Sequence, residues 1–189
     1  MEQLSERVSV DRRDGRVSVV ISARISKPRE ALLVSWFGAW IAIGIYVMYA
    51  RTTLESGDPL RQYLLAFLAF WLFFALRVGK AVLWRLKGFE LWRVKDGTLT
   101  IKDSLFGYGK ANTYFVENIS AMGLLNIDRS SLKYQLSDSF WTIGGERLGF
   151  ENAGRKVIFG KGLNDDEARR VLRVLQDALK RSRKEVAAQ

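Results

Sequence analysis

Two apolar stretches decide the fold of this chain: ALLVSWFGAWIAIGIYVMYA at residues 31–50 and YLLAFLAFWLFFALRVGKAVLW at residues 63–84. The hydrocarbon core of a bilayer is about 30 Å thick, and a helix of roughly 20 apolar residues crosses it. The first stretch has no charged side chain, and the second meets Arg77 and Lys80 only in its last third. The pair therefore predicts a transmembrane helical hairpin with residues 51–62 as its loop.

Positive charge is distributed unequally around these stretches. Residues 1–30 carry seven Lys or Arg and five acids, residues 51–61 carry two of each, and residues 77–189 carry 21 Lys or Arg and 13 acids. Segments rich in Lys and Arg stay on the cytoplasmic side of a membrane. We therefore expect a multi-pass protein of a bacterial inner membrane, with both termini cytoplasmic and the loop outside.

The composition limits the chemistry that the chain could perform. Its 189 residues include no Cys and no His, which excludes disulfides, thiol nucleophiles, thiolate metal sites and imidazole bases. The 20 Asp and Glu residues show no clustered, repeated spacing. We expect no catalytic residue, no metal and no cofactor. The net charge of +10 is explained mostly by membrane orientation, and no nucleic-acid recognition motif accompanies it.

Strand patterns lie on both sides of the apolar stretches. Residues 7–11 and 16–25 flank a turn and favour a β-hairpin. An isolated hairpin is marginally stable in water, so we expect residues 1–30 to join a sheet formed by the C-terminal region. The later segments with strand patterns are 89–95, 98–103, 110–116, 119–127, 132–136, 140–143, 146–151 and 155–160. Asp96-Gly97 predicts a hairpin turn between the first two, and Phe106-Gly107-Tyr108-Gly109 predicts a turn before the third.

The chain closes with an amphipathic helix predicted over residues 164–184. Asn164 suits the N-cap, and Glu167 suits the third helical position of a capping box. Apolar residues from Ala168 to Leu179 recur at helical spacing and predict a buried stripe. The opposite face is basic, which is typical of a solvated surface or of contact with anionic lipid or an acidic partner.

Small residues in the first apolar stretch would let another helix approach closely. They are Ser35, Gly38, Ala39 and Ala42. The expected partner is the second helix, and its aromatic residues are Phe67, Phe70, Trp71, Phe73 and Phe74. Contact of these aromatic rings with lipid or another protein is the alternative.

Two groups of basic residues are candidate contact sites. Arg77, Lys80, Arg85 and Lys87 fall where the second helix should leave the membrane, so we expect them to contact anionic headgroups of the inner leaflet. Snorkelling of the first two side chains is favoured over an ion path. The second group, a possible patch for an anion or a partner, is Arg155, Lys156, Lys161, Arg169, Arg170 and Arg173.

Several segments resemble a known arrangement. They are Gly88-Phe89-Glu90 after Trp84, Asp96-Gly97-Thr98-Leu99-Thr100-Ile101, Phe106-Gly107, Phe150 with Gly154-Arg155-Lys156, and Phe159-Gly160-Lys161-Gly162-Leu163 before Glu167-Ala168. On these segments the chain resembles uncharacterised bacterial two-helix membrane proteins with a pleckstrin-homology-like domain. The resemblance implies an α+β membrane protein whose antiparallel β domain, over residues 85–189, is capped by the C-terminal helix. It also implies a binding platform for peptides, lipid headgroups or proteins.

The sequence thus predicts a non-enzymatic membrane protein whose cytoplasmic domain scaffolds or assists assembly of a membrane partner or complex. The partner would be another membrane protein or a second copy of the chain. One alternative is a module that responds to anionic lipid. Another is a subunit of an oligomeric channel or transporter, against which the lack of charge between Ala31 and Leu76 argues.

Overall fold

The computed structural model describes residues 2–13, 15–126 and 142–187, which form three α-helices and nine β-strands. The helices are α1 (Lys27–Thr53), α2 (Leu60–Lys87) and α3 (Asp165–Ala187). The strands are β1 (Glu2–Gln3), β2 (Val8–Arg13), β3 (Arg16–Ser22), β4 (Gly88–Lys95), β5 (Thr98–Leu105), β6 (Ala111–Phe115), β7 (Ile119–Leu124), β8 (Glu146–Asn152) and β9 (Arg155–Lys161). The expected α+β class is confirmed.

The strands form two antiparallel sheets. The larger sheet has the order β1-β2-β3-β4-β5-β6, and the smaller has the order β7-β8-β9. In the larger sheet β3 pairs directly with β4, with Ser22 opposite Phe89 and Val17 opposite Val94. Segments before and after the two long helices therefore belong to one sheet. The helices are an insertion between neighbouring strands.

One hydrophobic core joins both sheets and α3. The β2–β3 hairpin contributes four side chains that are at most 1% exposed: Val8, Val10, Val19 and Ile21. Across the core, the Trp92 ring meets Phe159 edge-on at 4.7 Å between centroids. From α3, the buried residues include Ala168, Val171, Leu175, Ala178 and Leu179. The N-terminal strands are thus part of the core.

The C-terminal helix begins as its sequence predicts. The Glu167 backbone N–H donates to Asn164 Oδ1 at 2.8 Å, and the Asn164 N–H donates to Glu167 Oε2 at 3.0 Å, so the capping box is confirmed. At the other end of α3, Val186 lies against Gly97 in the β4–β5 turn. We distinguish two ends of the domain. The hairpin end is the end at which Ser22 and Gly88 connect to the two long helices. The far end is the end that holds the β4–β5 turn.

The two predicted apolar spans lie inside longer helices. Residues 31–50 fall within α1 and residues 63–84 within α2, which leaves only residues 54–59 as the connection. The helices extend past the apolar residues because helix formation tolerates polar flanks, including Pro28 in the first turn of α1. Both helices are long and apolar enough to cross a membrane, with hydropathies of 1.9 and 1.8.

One predicted strand ends earlier in the structure, and two others fall wholly or partly outside the described residues. The strand predicted over residues 119–127 stops at Leu124, after a bulge at which Ala121 has a φ of 49°. The strand predicted over residues 132–136 and the start of the one over 140–143 lie outside the described residues. Thr142 and Ile143 form a bend.

Candidate membrane-contacting site

The two long helices pack along a seam whose positions alternate in spacing between three and four residues. On α1 the less exposed positions of this seam are Leu33, Phe37, Trp40, Gly44, Val47 and Arg51. On α2 they are Arg61, Leu64, Leu68, Trp71, Ala75, Val78 and Val82. This seven-residue repeat is the spacing of knobs-into-holes packing between nearly antiparallel helices.

Two tryptophans join the helices in the middle of this seam. Trp71 Nε1 donates to the Trp40 carbonyl at 2.8 Å, and Trp40 Nε1 donates to the Trp71 carbonyl at 3.4 Å. Trp40 is the central residue of the 27-residue α1, about 20 Å from either end. An indole N–H without an acceptor would cost several kcal/mol in hydrocarbon. The reciprocal bonds give both indole N–H groups an acceptor in the middle of the helical pair.

Gly44 makes room for the Trp71 ring, because a Cβ there would overlap the indole. The small-residue stripe of α1 faces elsewhere: a Cβ on Gly38 would meet nothing within 4 Å, and Ser35, Ala39 and Ala42 are exposed. The prediction that α2 packs on that stripe is therefore wrong. Of the aromatic residues named above, Trp71 faces α1, whereas Phe67, Phe70, Phe73 and Phe74 are 40% to 71% exposed.

Gly44→Ala is expected to destabilise the helical hairpin by about 1–3 kcal/mol, because the added methyl group forces the Trp71 ring out of its place. Gly38→Ala is the matched control. Its methyl group meets no neighbour, and alanine favours a helix over glycine by about 1 kcal/mol. Thermal unfolding of the full chain in detergent, followed by near-ultraviolet circular dichroism of tryptophan, compares the two. Equal loss of stability in both variants would contradict the seam.

The first group of basic residues is split between two faces of α2. Arg77, Lys80 and Lys87 lie on one exposed face. Arg85 lies on the opposite side, is only 6% exposed, and donates through Nη2 to the Thr142 carbonyl at 3.2 Å. Three of the four side chains are therefore exposed to the surroundings of the helix, while Arg85 joins the helix to the β domain.

The second group of basic residues does not form one patch. Arg155 begins β9 and Lys161 ends it, which separates them by about 20 Å. Lys161 lies at the hairpin end, where its Nζ contacts Asp103 and is 5.7 Å from the centroid of the Trp84 ring. The other members, Lys156 beside Arg155 and Arg169, Arg170 and Arg173 along α3, are exposed. A shared anion site for all six is not formed.

At the hairpin end, a buried carboxyl group of β4 accepts hydrogen bonds from the backbone of β9. Glu90 is 1% exposed and accepts hydrogen bonds from the backbone N–H groups of Gly160 and Lys161, each at 3.0 Å, and from Trp92 Nε1 at 2.7 Å. Burial raises the pKa of Glu90 above its ordinary value of 4.5, opposed by the charge of Lys161 and by the three N–H donors. Sequence reasoning gave Glu90 no role, because its partners lie about 70 residues away.

The loop after β9 is held from both segments that flank the helices. Arg7 donates through Nη2 to the Gly162 carbonyl at 2.9 Å and through Nε to the Ser22 carbonyl at 3.3 Å. Arg85 approaches the same loop, since its Nη1 is 3.4 Å from where a Cβ on Gly162 would lie. We call Arg7, Arg85, Glu90 and Lys161 the junction cluster. It packs the end of α2 firmly against the domain.

A tight turn places two aromatic side chains at the hairpin end. Phe106 and Gly107 have φ values of 53° and 86°, and backbone hydrogen bonds in both directions between Leu105 and Tyr108 close the turn. Phe106 is 56% exposed and Tyr108 84% exposed. Leu105 pairs with Gly88, the first residue after α2, so the turn lies beside the end of the helix. The sequence predicts this turn but not the exposure of its side chains.

Within the described residues, no group of three or more Asp or Glu side chains could hold a metal ion. Comparisons of the chain with protein-family models, with curated proteins and with solved structures find no match. The resemblance to membrane proteins with a pleckstrin-homology-like domain therefore stays a prediction.

Proposed function

We propose that this chain is a non-enzymatic protein of a bacterial inner membrane that presents its β domain, at a fixed position on the cytoplasmic surface, as a binding platform for a membrane partner. The insertion of α1 and α2 between the paired strands β3 and β4 carries this proposal. The two proposed membrane-spanning helices connect to neighbouring strands of one sheet, α1 to β3 and α2 to β4. The junction cluster holds the end of α2 against the β domain. A domain held in this way keeps a constant height and orientation above the bilayer, as an assembly platform requires.

The surface of the helical pair supports insertion into a bilayer. Large apolar side chains point outward along both helices, among them Leu32, Tyr46, Phe70 and Leu76, which are 58% to 71% exposed. Apolar patches of this extent are rare on soluble monomers but suit contact with hydrocarbon. We therefore assign the helices to the membrane, with the connecting residues 54–59 on its non-cytoplasmic side.

The arrangement of the β domain supports the pleckstrin-homology-like class. Two antiparallel sheets share one core, and an amphipathic C-terminal helix packs against it. Domains of this architecture commonly bind partners rather than catalyse reactions. The chain offers no imidazole or thiol for catalysis.

The edge of β7 is not the binding surface of this platform. Gln176 Nε2 donates to the Met122 carbonyl at 3.2 Å, and the Arg183 guanidinium donates to the carbonyls of Val116 and Ile119. A partner strand added at this edge would have to displace these side chains of α3. Partner recognition is proposed instead at the hairpin end and on the outer faces of the helices, where Phe106, Tyr108 and Phe70 are more than half exposed.

Mild chemical crosslinking of the full chain in its native membrane tests the platform role. We expect a discrete higher-mass product that contains one defined membrane protein or a second copy of the chain. A matched variant in which residues 31–84 are replaced by an unrelated apolar hairpin should lose this product if the helices contribute to recognition. Recovery of the uncrosslinked monomer alone would contradict the proposal.

The aromatic turn favours a second candidate function, a module that responds to anionic lipid. A left-handed backbone conformation costs a non-glycine residue about 1–2 kcal/mol in conformational free energy. Phe106 has this conformation, and its side chain is more than half exposed, so packing in the core does not offset the cost. Aromatic side chains settle at the membrane–water interface, and Lys110 next to the turn would be attracted to anionic headgroups. The domain would be held against the membrane surface by the turn together with Lys80 and Lys87.

A cysteine label beside the turn checks this second function. The chain has no native cysteine, so Ala111→Cys near the turn and Ala153→Cys at the far end each give a single labelling position. In nanodiscs of anionic lipid, we expect headgroup-attached quenchers to reduce the fluorescence of a dye at residue 111 and not at residue 153. Adding Phe106→Asp should reduce that quenching at least about twofold, because a carboxylate is repelled from the interface. Equal quenching at both positions would exclude a specific lipid contact of the turn.

A further inference from the structure

A cleft at the far end of the domain gathers four arginines. It lies between the β2–β3 turn and the last turns of α3, with a volume of about 260 Å³. Arg12 and Arg13 come from the end of β2, Arg16 from the start of β3, and Arg181 from α3. Apolar side chains of the core form its floor: Val17, Val94 and Ala178.

The positive charge of this cleft is incompletely neutralised. Arg16 and Arg181 form no ion pair with any residue of the described ranges. Arg13 Nε is 3.0 Å from Asp11 Oδ1, whereas Arg12 is 3.7 Å from Glu2 in a pair whose side chains are more than half exposed. Among the described residues that line the cleft, Glu185 is the one acid beside four arginines, and two of these arginines, Arg12 and Arg13, pair with acids outside the lining.

Two polar atoms in this cleft are buried without a hydrogen-bond partner among the described residues. They are the hydroxyl oxygen of Ser182, a residue only 5% exposed, and Nε of Arg16. A buried polar group without a hydrogen-bond partner is destabilising, so folded proteins seldom retain one without a ligand or water. Both atoms lie on residues that line the cleft.

We infer that this cleft binds the phosphate of a small phosphate monoester. The Arg16 and Arg181 guanidinium groups would donate charge-assisted hydrogen bonds to the phosphate oxygens, and the Ser182 hydroxyl would donate another. A phosphate dianion offers more charge and more acceptor oxygens than a carboxylate, and therefore suits two guanidinium groups and a hydroxyl donor better. The carboxyl end of α3 contributes about half a negative charge, which the two positive charges of Arg16 and Arg181 outweigh.

The position of the cleft distinguishes a soluble phosphate from a lipid headgroup. Val94 lies six residues beyond Gly88 along β4, about 20 Å from the end of α2. A headgroup in contact with Lys87 is too far away to occupy the cleft. The ligand is therefore a soluble compound, an assignment that rests on the proposed membrane position of α2 but not on the proposed platform role.

Calorimetric titration of the full chain in non-ionic detergent with inorganic phosphate, at ionic strength held constant with chloride, tests this inference. We expect saturable binding that Arg16→Gln and Arg181→Gln each weaken about tenfold or more, because each removes a charge-assisted hydrogen bond. Ser182→Ala should weaken it about fivefold. Arg169→Gln is the matched control, since it makes the same charge change at the opposite end of α3, and should leave the affinity unchanged.

Two results would overturn the inference. One is the absence of saturable binding at millimolar phosphate by the wild-type chain, with its fold verified by circular dichroism. The other is equal weakening by Arg169→Gln and Arg181→Gln, which would mean general charge attraction. The same phosphate titration in nanodiscs distinguishes a soluble phosphate from a lipid headgroup. If phosphatidic acid discs abolish the binding of inorganic phosphate and phosphatidylcholine discs do not, the lipid headgroup occupies the site. That result would contradict a soluble ligand.

Discussion

Removal of the two long helices is expected to convert this protein into a soluble, folded β domain. Joining Ala23 to Gly88 through Asn-Gly would preserve the pairing of β3 with β4, because the Ala23 N–H already donates to the Gly88 carbonyl at 3.0 Å. Asn-Gly forms the type I′ turn that two neighbouring antiparallel strands accept. Loss of Trp84 and Arg85 should lower the stability without opening the core. Size-exclusion chromatography without detergent and a cooperative thermal transition would show the expected monomer.

The matched control for this excision is the fragment of residues 85–189, which keeps the C-terminal region and lacks β1, β2 and β3. This fragment is expected not to fold, because it loses the four buried aliphatic side chains of the β2–β3 hairpin. Burial of each such side chain contributes about 1.5–3 kcal/mol, and the sum is comparable with the whole stability of a small domain. Cooperative unfolding of the fragment alone would contradict the assignment of residues 2–22 to the core sheet.

Glu90→Ala is expected to destabilise the domain by about 3–5 kcal/mol. The substitution leaves the N–H groups of Gly160, Lys161 and Trp92 without their acceptor, in a region where water cannot replace it. Asp103→Ala is the matched control, because it also removes a carboxylate next to Lys161 but from a side chain that is 48% exposed, and should cost less than about 1 kcal/mol. Denaturant unfolding of the full chain in detergent gives both values. Similar losses in the two variants would mean that Glu90 has no special structural role.

Glu90→Gln separates the charge of this group from its shape. Because burial raises the pKa of Glu90 above 4.5, the folded state holds the proton more tightly than the unfolded state. The stability that this difference contributes is present below pH 4.5 and is lost as the pH rises through the folded pKa. The stability of the wild type relative to Glu90→Gln should therefore fall with increasing pH. A constant difference from about pH 4 to 8 would contradict the raised pKa.

Features that depend on local sequence could be predicted. The Asp96-Gly97 and Phe106-Gly107 turns appear where they were expected, since a two-residue turn is determined by its own residues. The capping box at Asn164 is likewise a contact between residues three positions apart. The two long helices follow from composition over about 20 residues. In each case the stabilising contacts lie within one short segment.

The contacts between the long helices could not be predicted from their composition. Nearly every position from 31 to 50 is apolar, so the sequence does not distinguish the face that meets α2 from the exposed faces. Gly38 and Gly44 differ only in what lies opposite them: open space for Gly38 and the Trp71 ring for Gly44. That difference depends on the register between the two helices, which no local pattern determines.

The junction cluster and the arginine cleft depend on contacts that are still more distant in the chain. Glu90 contacts Gly160 because β4 and β9 face each other across the core, and Arg16 lines the same cleft as Arg181 because α3 returns to the far end of the domain. The basic residues proposed from sequence were grouped by proximity in the chain. Folding separated Arg155 from Lys161 and brought together arginines that are over 160 positions apart.

Labelling of single cysteines in intact bacterial cells tests most directly whether α1 and α2 cross the bilayer between two strands of one cytoplasmic domain. The cysteine-free chain allows Ser56→Cys in the connection between the helices to be compared with Ala153→Cys in the β domain. A membrane-impermeant maleimide should modify residue 56 in intact cells and residue 153 only after lysis. Modification of residue 153 in intact cells, or protection of both positions until lysis, would contradict this topology.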